Sequence, residues 1–313
     1  MKNVKFFLAA FVLLAASCSN EESFDSSVNN SNEQGALAPV TVNVSDFSVS
    51  QEEFPGGSTR SGAVRGTTRA AADPATYDGV KALTLAFYAG DGTEAFKTTQ
   101  TKGALEEGET FGEFTLSLPM GSYTMVVIGH GLNAGEPAIT LTSPTAATFG
   151  EYPARETFAT TQPVNITSTS AVNLSTTLNR IIAKLQVVST DGRTANAANV
   201  RMTMSAGGKI FNPTTGLATS NTGFVNTVGI SAAAGSTSSS ISYLFLATDE
   251  QTMDVTIETL DEDGAVLFSK TVNNVPFKRN RVTNLAGAMY TNNSVSGGFQ
   301  IETEWEDQYD GTF

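Results

Sequence analysis

The chain has 313 residues and a formal net charge of −13, and 40% of its residues are hydrophobic. This acidic balance argues against nucleic acid as a partner, because the phosphates would repel the protein, and against adsorption to anionic lipid. The only cysteine is Cys18, so we expect no disulfide and assign stability to hydrophobic cores, for which about 300 residues suffice to build two ordinary domains.

The first 17 residues are typical of a bacterial export signal. Two lysines precede an apolar run over 6–16, which is shorter than the roughly 20 residues that a membrane-spanning helix needs. Cys18 follows Leu-Ala-Ala-Ser at the expected cleavage point, with Leu one position further upstream than in the commonest lipobox. We expect 1–17 to be a lipoprotein signal peptide and Cys18 to carry lipid that anchors the chain to the outer membrane. An ordinary secretory signal with an incidental cysteine is the alternative.

Residues 18–35 are polar and contain few apolar side chains, so we expect a disordered tether. Beyond this tether, apolar and polar residues alternate, first at Val40, Val42 and Val44, as in half-buried β-strands.

Two β-hairpins are predicted in the next 100 residues. In VKALTLAFYAGDGTEAF (80–96) the alternating apolar residues are interrupted by Asp91-Gly92, a dipeptide typical of hairpin turns. In GEFTLSLPMGSYTMVVIGHG (112–131) one strand leads into Pro-Met-Gly, and a second is expected to return beside the first.

Further short strands follow to the end of the chain, and no window has the sustained 3.6-residue periodicity of a helix. Many short strands with regular turns predict an all-β fold of two tandem β-sandwiches. The Ser/Thr/Asn-rich stretch over 166–177 is the best candidate boundary, which gives domains at about 36–165 and 170–313.

No catalytic centre is evident, and we expect a protein that is not an enzyme and uses no cofactor or metal. His130 is the only histidine, and a turn residue is the favoured interpretation of it. The Asp-Glu-Asp-Gly stretch at 261–264 resembles the start of a calcium loop but lacks alternating ligands and a terminal glutamate, so we interpret it as a hairpin turn.

Three of the nine arginines lie within ten residues of one another, at Arg60, Arg65 and Arg69, among Gly, Ser, Thr and Ala. Such a segment has nothing to bury, and proteolytic cleavage concentrates in exposed segments of this kind. Cleavage there would release the lipid-bearing N-terminus together with the first strand. A solvated basic loop that is never processed is the alternative.

The order and spacing of these pieces resemble the Bacteroidetes fimbrillin superfamily, which comprises type V pilus subunits and their anchor paralogues. The matching pieces are the lipoprotein signal, the blocks at 80–92 and 112–131, the strand LNRIIAKLQV (178–187) and the strand VPFKRNRVTNLAGAMYT (275–291). The resemblance implies transthyretin-like sandwiches, and polymerisation by strand exchange after an arginine-specific protease removes the first strand. Anchors of the superfamily keep their lipid and are not trimmed.

The segment GGFQIETEWEDQYDGTF (297–313) has the pattern expected of a replacement strand. Phe299, Ile301 and Trp305 alternate with polar residues, and the preceding glycines offer a hinge. The alternative is that 299–305 is the last strand of its own domain.

The predicted function is that of a structural subunit of a cell-surface fimbria, with other fimbrial subunits, the protease and the outer membrane as partners. A lipid-bearing anchor, a tip adhesin, or a surface glycan-binding lipoprotein with Trp305 as a sugar platform are the alternatives.

Overall fold

The computed structural model describes residues 35–48, 71–291 and 300–302, and most of these lie in β-strands. No helix occurs among the described residues, and none therefore is long and apolar enough to cross a membrane. The prediction of an all-β fold is confirmed. The strands are β1 (Leu37–Ser48), β2 (Ala71–Ala72), β3 (Ala82–Ala89), β4 (Glu94–Thr101), β5 (Glu113–Pro119), β6 (Gly121–His130), β7 (Thr140–Ser143), β8 (Ala146–Thr148), β9 (Thr157–Ile166), β10 (Val172–Arg180), β11 (Ala183–Ser189), β12 (Asn199–Met204), β13 (Ile210–Asn212), β14 (Leu217–Ala218), β15 (Phe224–Gly229), β16 (Ser239–Leu244), β17 (Glu250–Leu260), β18 (Val266–Lys278), β19 (Val282–Gly287) and β20 (Gln300–Glu302).

The N-terminal sandwich, defined as β1–β6, β9 and β10, is a single sheet that folds over on itself. Its strand order is β2-β1-β10-β9-β6-β3-β4, and β5 pairs with β1. Only two residue pairs join β9 to β10. The sheet divides at this junction into the layers β4-β3-β6-β9 and β5-β1-β10, and apolar side chains from both layers form one buried cluster.

The C-terminal sandwich, defined as β11, β12 and β15–β20, consists of two separate four-stranded sheets. Their strand orders are β16-β11-β19-β20 and β15-β12-β17-β18. A second cluster of buried side chains lies between them, with Leu185 from one sheet and Ile257 from the other both fully buried.

Seven strands are arranged in the same order in both sandwiches. Without β2, the N-terminal layers are β5-β1-β10 and β4-β3-β6-β9, and without β20 the C-terminal sheets are β16-β11-β19 and β18-β17-β12-β15 in the corresponding places, which supports the tandem arrangement. In each sandwich the first strand pairs in parallel with the last, β1 with β10 and β11 with β19, while all other strand pairs are antiparallel. The domain bounds of 36–165 and 170–313 stay a prediction. Strand β10, at 172–180, lies in the N-terminal sheet, and the chain passes to the C-terminal sandwich at Ile181–Ile182.

A small third sheet, with strand order β14-β13-β8-β7, joins the two sandwiches. Phe211 of β13 pairs with Ala147 of β8, so that insertions from the two halves share one ladder. A third buried cluster includes Ala86 and Tyr88 of β3 together with Phe211 and Phe245 of the C-terminal half. Both faces of β3 are buried as a result, one in the first cluster and the other in this cluster.

The turn at 90–93 confirms one predicted hairpin, because β3 and β4 pair on either side of it. Gly92 has a φ of +84°, which a glycine adopts without strain. The hairpin predicted over 112–131 is wrong. Strand β5 pairs with β1, whereas β6 pairs with β3 and β9, so the chain crosses from one layer to the other at Met120. Strand β5 and one face of β6 contribute to the same core, and the other face of β6 places Val126 and Ile128 in the third cluster.

Two pieces predicted as single strands are each divided between two strands. LNRIIAKLQV (178–187) supplies the end of β10 and most of β11, and VPFKRNRVTNLAGAMYT (275–291) supplies the end of β18 and all of β19. The turn between β18 and β19 contains Asn280, whose φ of +59° is tolerated better by asparagine than by most residues.

Candidate functional site at strand β1

Strand β1 lies between two partners along most of its length. Residues 37–43 pair antiparallel with β5, and residues 40–48 pair in parallel with β10. At Val42, for example, the partners are Phe114 on one side and Leu174 on the other. Strand β1 therefore supplies hydrogen-bond partners to the backbone N–H and C=O groups that β5 and β10 direct toward it.

The inward face of β1 is a continuous row of buried apolar side chains. Ala38, Val40, Val42 and Phe47 are fully buried, and Val44 is 5% exposed. The intervening residues point outward, as the alternation in the sequence predicts. Each fully buried valine or phenylalanine contributes about 1.5–3 kcal/mol. Removal of β1 would therefore lower the free energy of unfolding by an amount comparable to the whole stability of a domain, which is roughly 5–15 kcal/mol.

One segment of the chain connects β1 to everything that follows. Ser48, the last residue of β1, pairs with Ala71 of β2, so the two ends of segment 49–70 lie side by side. The predicted cleavage residues Arg60, Arg65 and Arg69 lie in this segment, outside the described residues. Cys18 and the tether also lie outside them. A cut anywhere in 49–70 would leave β1 attached to the sandwich only by non-covalent contacts.

The predicted replacement strand is described only in part. The backbone of 300–302 pairs antiparallel with β19 of the same chain, with Ile301 opposite Leu285. Phe299 and Trp305 lie outside the described residues. The donor role of these three residues stays a prediction, and the segment occupies the free edge of β19 in this arrangement.

A buried ion pair lies near the end of β1, where the two sandwiches meet. Arg180 donates from Nε to Glu156 Oε1 at 2.8 Å, and Tyr77 donates its hydroxyl to the same oxygen at 2.7 Å. A third contact joins Arg180 to Asn280 Oδ1 in the β18–β19 turn at 3.0 Å. Burial, reinforced by the charge of Glu156, raises the pKa of Tyr77 well above its usual range. This network holds the C-terminal turn against the N-terminal sheet.

His130 has a structural role at the end of β6. Its side chain is fully buried rather than exposed in a turn, which corrects the interpretation from sequence. Nε2 accepts from the Ile139 amide at 3.1 Å, so Nδ1 carries the proton that is donated to the Gly131 carbonyl at 2.7 Å. Burial lowers the pKa of His130. Both ring nitrogens are occupied, and neither is available to a metal or a substrate.

The stretch at 261–264 forms the turn between β17 and β18, as predicted. The Ala265 amide donates to the Asp261 side chain at 2.8 Å, and Gly264 has a φ of +83°. Within the described residues, no group of three or more His, Cys, Asp or Glu side chains is arranged to hold a metal ion.

A glycan-binding surface would need exposed aromatic platforms. Among the aromatic side chains whose burial is described, only Tyr152, at 41%, is strongly exposed. The others contribute to cores or are partly covered, as in the cluster of Phe47, Tyr77 and Phe158 with ring centroids 5.0–5.7 Å apart. The described surface therefore offers little support for sugar stacking.

The chain belongs to a family of unknown function, DUF6562, whose model matches residues 40–312. No curated protein matches the sequence. Fimbrial proteins are among the solved structures that the chain resembles, as expected from the sequence.

Three of these structures illustrate the likeness. A "putative adhesin" from Bacteroides ovatus is 11% identical, with a TM-score of 0.49 over 88% of this chain and 97% of the other. The fimbrial anchor protein Mfa2 from Porphyromonas gingivalis is 12% identical, with a TM-score of 0.44 over 80% and 90% of the two chains. The tip fimbrial protein Mfa3 from the same organism is 10% identical, with a TM-score of 0.39 over 86% and 98%. Likenesses at this level assign no function.

Proposed function

We propose that the protein is a structural subunit of a cell-surface fimbria that polymerises by strand exchange. The observation that supports this most directly is the position of β1, which is buried between β5 and β10 yet joined to the rest of the chain only through 49–70. A core strand with a single, arginine-bearing connection can be detached by one cut and replaced by a strand of similar pattern.

In this proposal the chain is exported as a lipoprotein through Cys18 and reaches the outer membrane. An arginine-specific protease cuts at Arg60, Arg65 or Arg69, and β1 then leaves its groove. The unpaired edges of β5 and β10 recruit the segment 299–305 of another subunit, which offers Phe299, Ile301 and Trp305 to the vacated pockets. A head-to-tail contact of this kind does not close on itself, so it produces a filament.

Treatment of the purified precursor with an arginine-specific protease tests the proposal. We expect polymers that are resolved by size and by electron microscopy, and a mature N-terminus at residue 61, 66 or 70 by mass spectrometry. Deletion of 297–313 should abolish polymerisation and leave a folded monomer. Polymerisation of the truncated chain, or its unfolding, would contradict the donor role.

Two alternatives to this function predict different results. An anchor or a tip adhesin that retains its lipid would be recovered from the cell surface with Cys18 at its N-terminus and 49–70 intact. A glycan-binding lipoprotein is the second candidate function, and it would show binding on a glycan array that is lost on Trp305→Ala.

A further inference from the structure

A basic cleft of about 420 Å³ opens where the two sandwiches meet. Four cationic side chains line it, and the other described residues of its lining are neutral. The four are Arg180, Lys278, Arg279 and Arg281. In a chain with 18 lysines and arginines against 31 acidic residues, four cations therefore gather at one place, where Arg180 pairs with Glu156, Lys278 with Glu250 and Arg279 with Asp249.

The cations fall into two groups. Arg180 and Arg281 are buried, at 8% and 7% exposure, and form the inner wall. Lys278 and Arg279 lie further out, where Lys278 pairs with Glu250 and Arg279 with Asp249. The carboxylates of these two pairs are 58% and 67% exposed, so the ion pairs are of the solvated kind that contributes little. Another anion can therefore replace either of these two exposed carboxylates at small cost.

The described end of the chain runs toward this cleft. In the antiparallel pairing of β20 with β19, Gln300 lies opposite Ala286 and Glu302 lies opposite Asn284. The chain that leaves Glu302 is thus directed toward the start of β19, which Arg281 immediately precedes. Asn284 lies three positions after Arg281, a distance of about 10 Å along a strand.

The residues that follow have the complementary charge. Segment 303–313, TEWEDQYDGTF, contains four carboxylate side chains and no cation. Eleven residues can span up to about 36 Å when extended, so the length is more than sufficient to cross the cleft. We refer to 303–313 as the acidic tail.

We propose that the acidic tail binds the basic cleft of its own chain and thereby holds β20 against β19. The contact needs no second copy, so it goes beyond the proposed function and does not depend on it. If strands are exchanged between subunits, the tail must leave this cleft before 299–305 can reach a neighbour.

Trp305 is the only tryptophan and lies in the tail, so its fluorescence in the full-length chain reports on tail binding. Two variants remove the contact from opposite sides. The tail variant combines Glu306→Gln, Asp307→Asn and Asp310→Asn, and the cleft variant combines Lys278→Gln and Arg279→Gln. Each should red-shift the emission and raise acrylamide quenching, because the ratio of bound to free tail falls roughly fivefold for two exposed ion pairs.

A chain that carries the tail and the cleft substitutions together shows whether the tail and the cleft contact each other. We expect it to be quenched no more than either variant alone, because both remove the same interaction. Sodium chloride at 1 M, where the screening length is about 3 Å, should raise quenching in the original chain only. Lys97→Gln with Lys270→Gln removes the same number of charges elsewhere and should have no effect.

Unchanged quenching in the cleft variant, an equal change in the control, or additive effects in the combined variant would each overturn the proposal. Unfolding midpoints of all variants are measured in parallel, so that a change in Trp305 is compared between folded chains. Protease-dependent polymerisation is scored separately. A chain that polymerises but shows no cleft dependence refutes only the tail contact, and the reverse result refutes only strand exchange.

Discussion

Strands β1 and β11 hold the same place in their sandwiches. Each is the first strand, each pairs in parallel with the last strand, and each has an antiparallel neighbour on its other side, β5 for β1 and β16 for β11. Their inward side chains are equally buried, as Val42 and Val187 show. In packing terms the two strands are equivalent.

Connectivity separates them. Strand β11 follows β10 after only Ile181 and Ile182, both of which are buried in the third cluster. Strand β1 is followed by 22 residues, 49–70, before the chain returns beside it at Ala71. Under the proposed strand exchange, β1 differs from β11 in the way it is attached and not in its contacts with the core.

The largest expected effect comes from a chain that begins at residue 71 and therefore lacks β1. Four large apolar side chains are lost from the core, which costs roughly 6–12 kcal/mol. We expect the N-terminal sandwich to be unfolded at 25 °C by circular dichroism and by hydrogen exchange. A synthetic peptide of residues 36–48 should restore it, whereas the same peptide with Val42→Asp should not. Native-like protection of β3 and β6 in the truncated chain would show that β1 is dispensable.

Arg180→Met tests the contact that fixes the β18–β19 turn to the N-terminal sheet. The substitution leaves the largely covered Glu156 carboxylate without its guanidinium, and we expect a loss of about 3–5 kcal/mol in the free energy of unfolding. Arg201→Met is the matched control, because the two partner carboxylates are similarly covered, Glu156 at 15% and Glu258 at 16% exposure, whereas Arg201 is 33% exposed against 5% for Arg180. That change should cost about 1 kcal/mol or less in urea unfolding. Equal losses would mean that the Arg180 network has no special role.

Val42→Ala and Val187→Ala compare β1 and β11 directly. In the uncut chain each should cost about 2 kcal/mol, since each removes two buried methyl groups and leaves a small cavity. After a cut in 49–70 the two should differ. Dissociation of the β1 peptide, followed by size exclusion, should become roughly 30-fold more favourable with Val42→Ala and stay unchanged with Val187→Ala. An equal effect of the two would remove the distinction by connectivity.

The smallest expected effect is a difference in acid sensitivity. The folded-state pKa of His130 is lowered, so the unfolded chain takes up the proton first, and stability falls as pH drops below about 6.5. In urea unfolding between pH 7 and pH 5, His130→Asn should flatten this decline, which is at most about 1.4 kcal/mol per pH unit. A slope that persists in the variant would assign the effect to other groups.

The C-terminal sandwich should respond only at lower pH. Burial of Asp191 opposes its ionisation, but hydrogen bonds from the amides of Met289, Tyr290 and Thr291 outweigh this and lower its pKa. The stability that ionised Asp191 contributes is fully present above the ordinary aspartate pKa of about 3.9 and is lost as the pH falls below that value. Asp191→Asn should abolish this component, measured by hydrogen exchange of β19. A loss near pH 6 would contradict the assignment.

Local patterns were sufficient to predict the strands but not their partners. The alternation at Val40, Val42 and Val44 identifies β1, and Asp91-Gly92 identifies the turn after β3, because both signals depend on neighbouring residues alone. Pairing across the fold has no such local signal. Strands β5 and β6 are joined by a single residue, yet they lie in different layers, since either arrangement buries the same alternating side chains.

The candidate site was predictable in composition and incomplete in geometry. Clustered arginines pointed to 49–70. The parallel partner of β1 was not predicted, because β10 lies roughly 130 residues further along the chain and its sequence is only a Ser/Thr-rich stretch. The ion pair of Glu156 and Arg180, at 15% and 5% side-chain exposure, was also missed, because charged residues are ordinarily exposed. The small sheet that joins β8 to β13 depends on contacts between distant insertions, and its three-residue strands are too short to be recognised.

That small sheet has a mechanical consequence. The only covalent crossing between the sandwiches within the described part of the chain is Ile181–Ile182, and the ladder of β8 with β13 crosses beside it. A bending motion about the crossing would open that ladder and expose Phe211 and Phe245, whose rings are stacked 4.0 Å apart. Flexing therefore carries a cost in both hydrogen bonds and apolar surface. The two sandwiches should therefore transmit a pulling or bending load as one stiff unit.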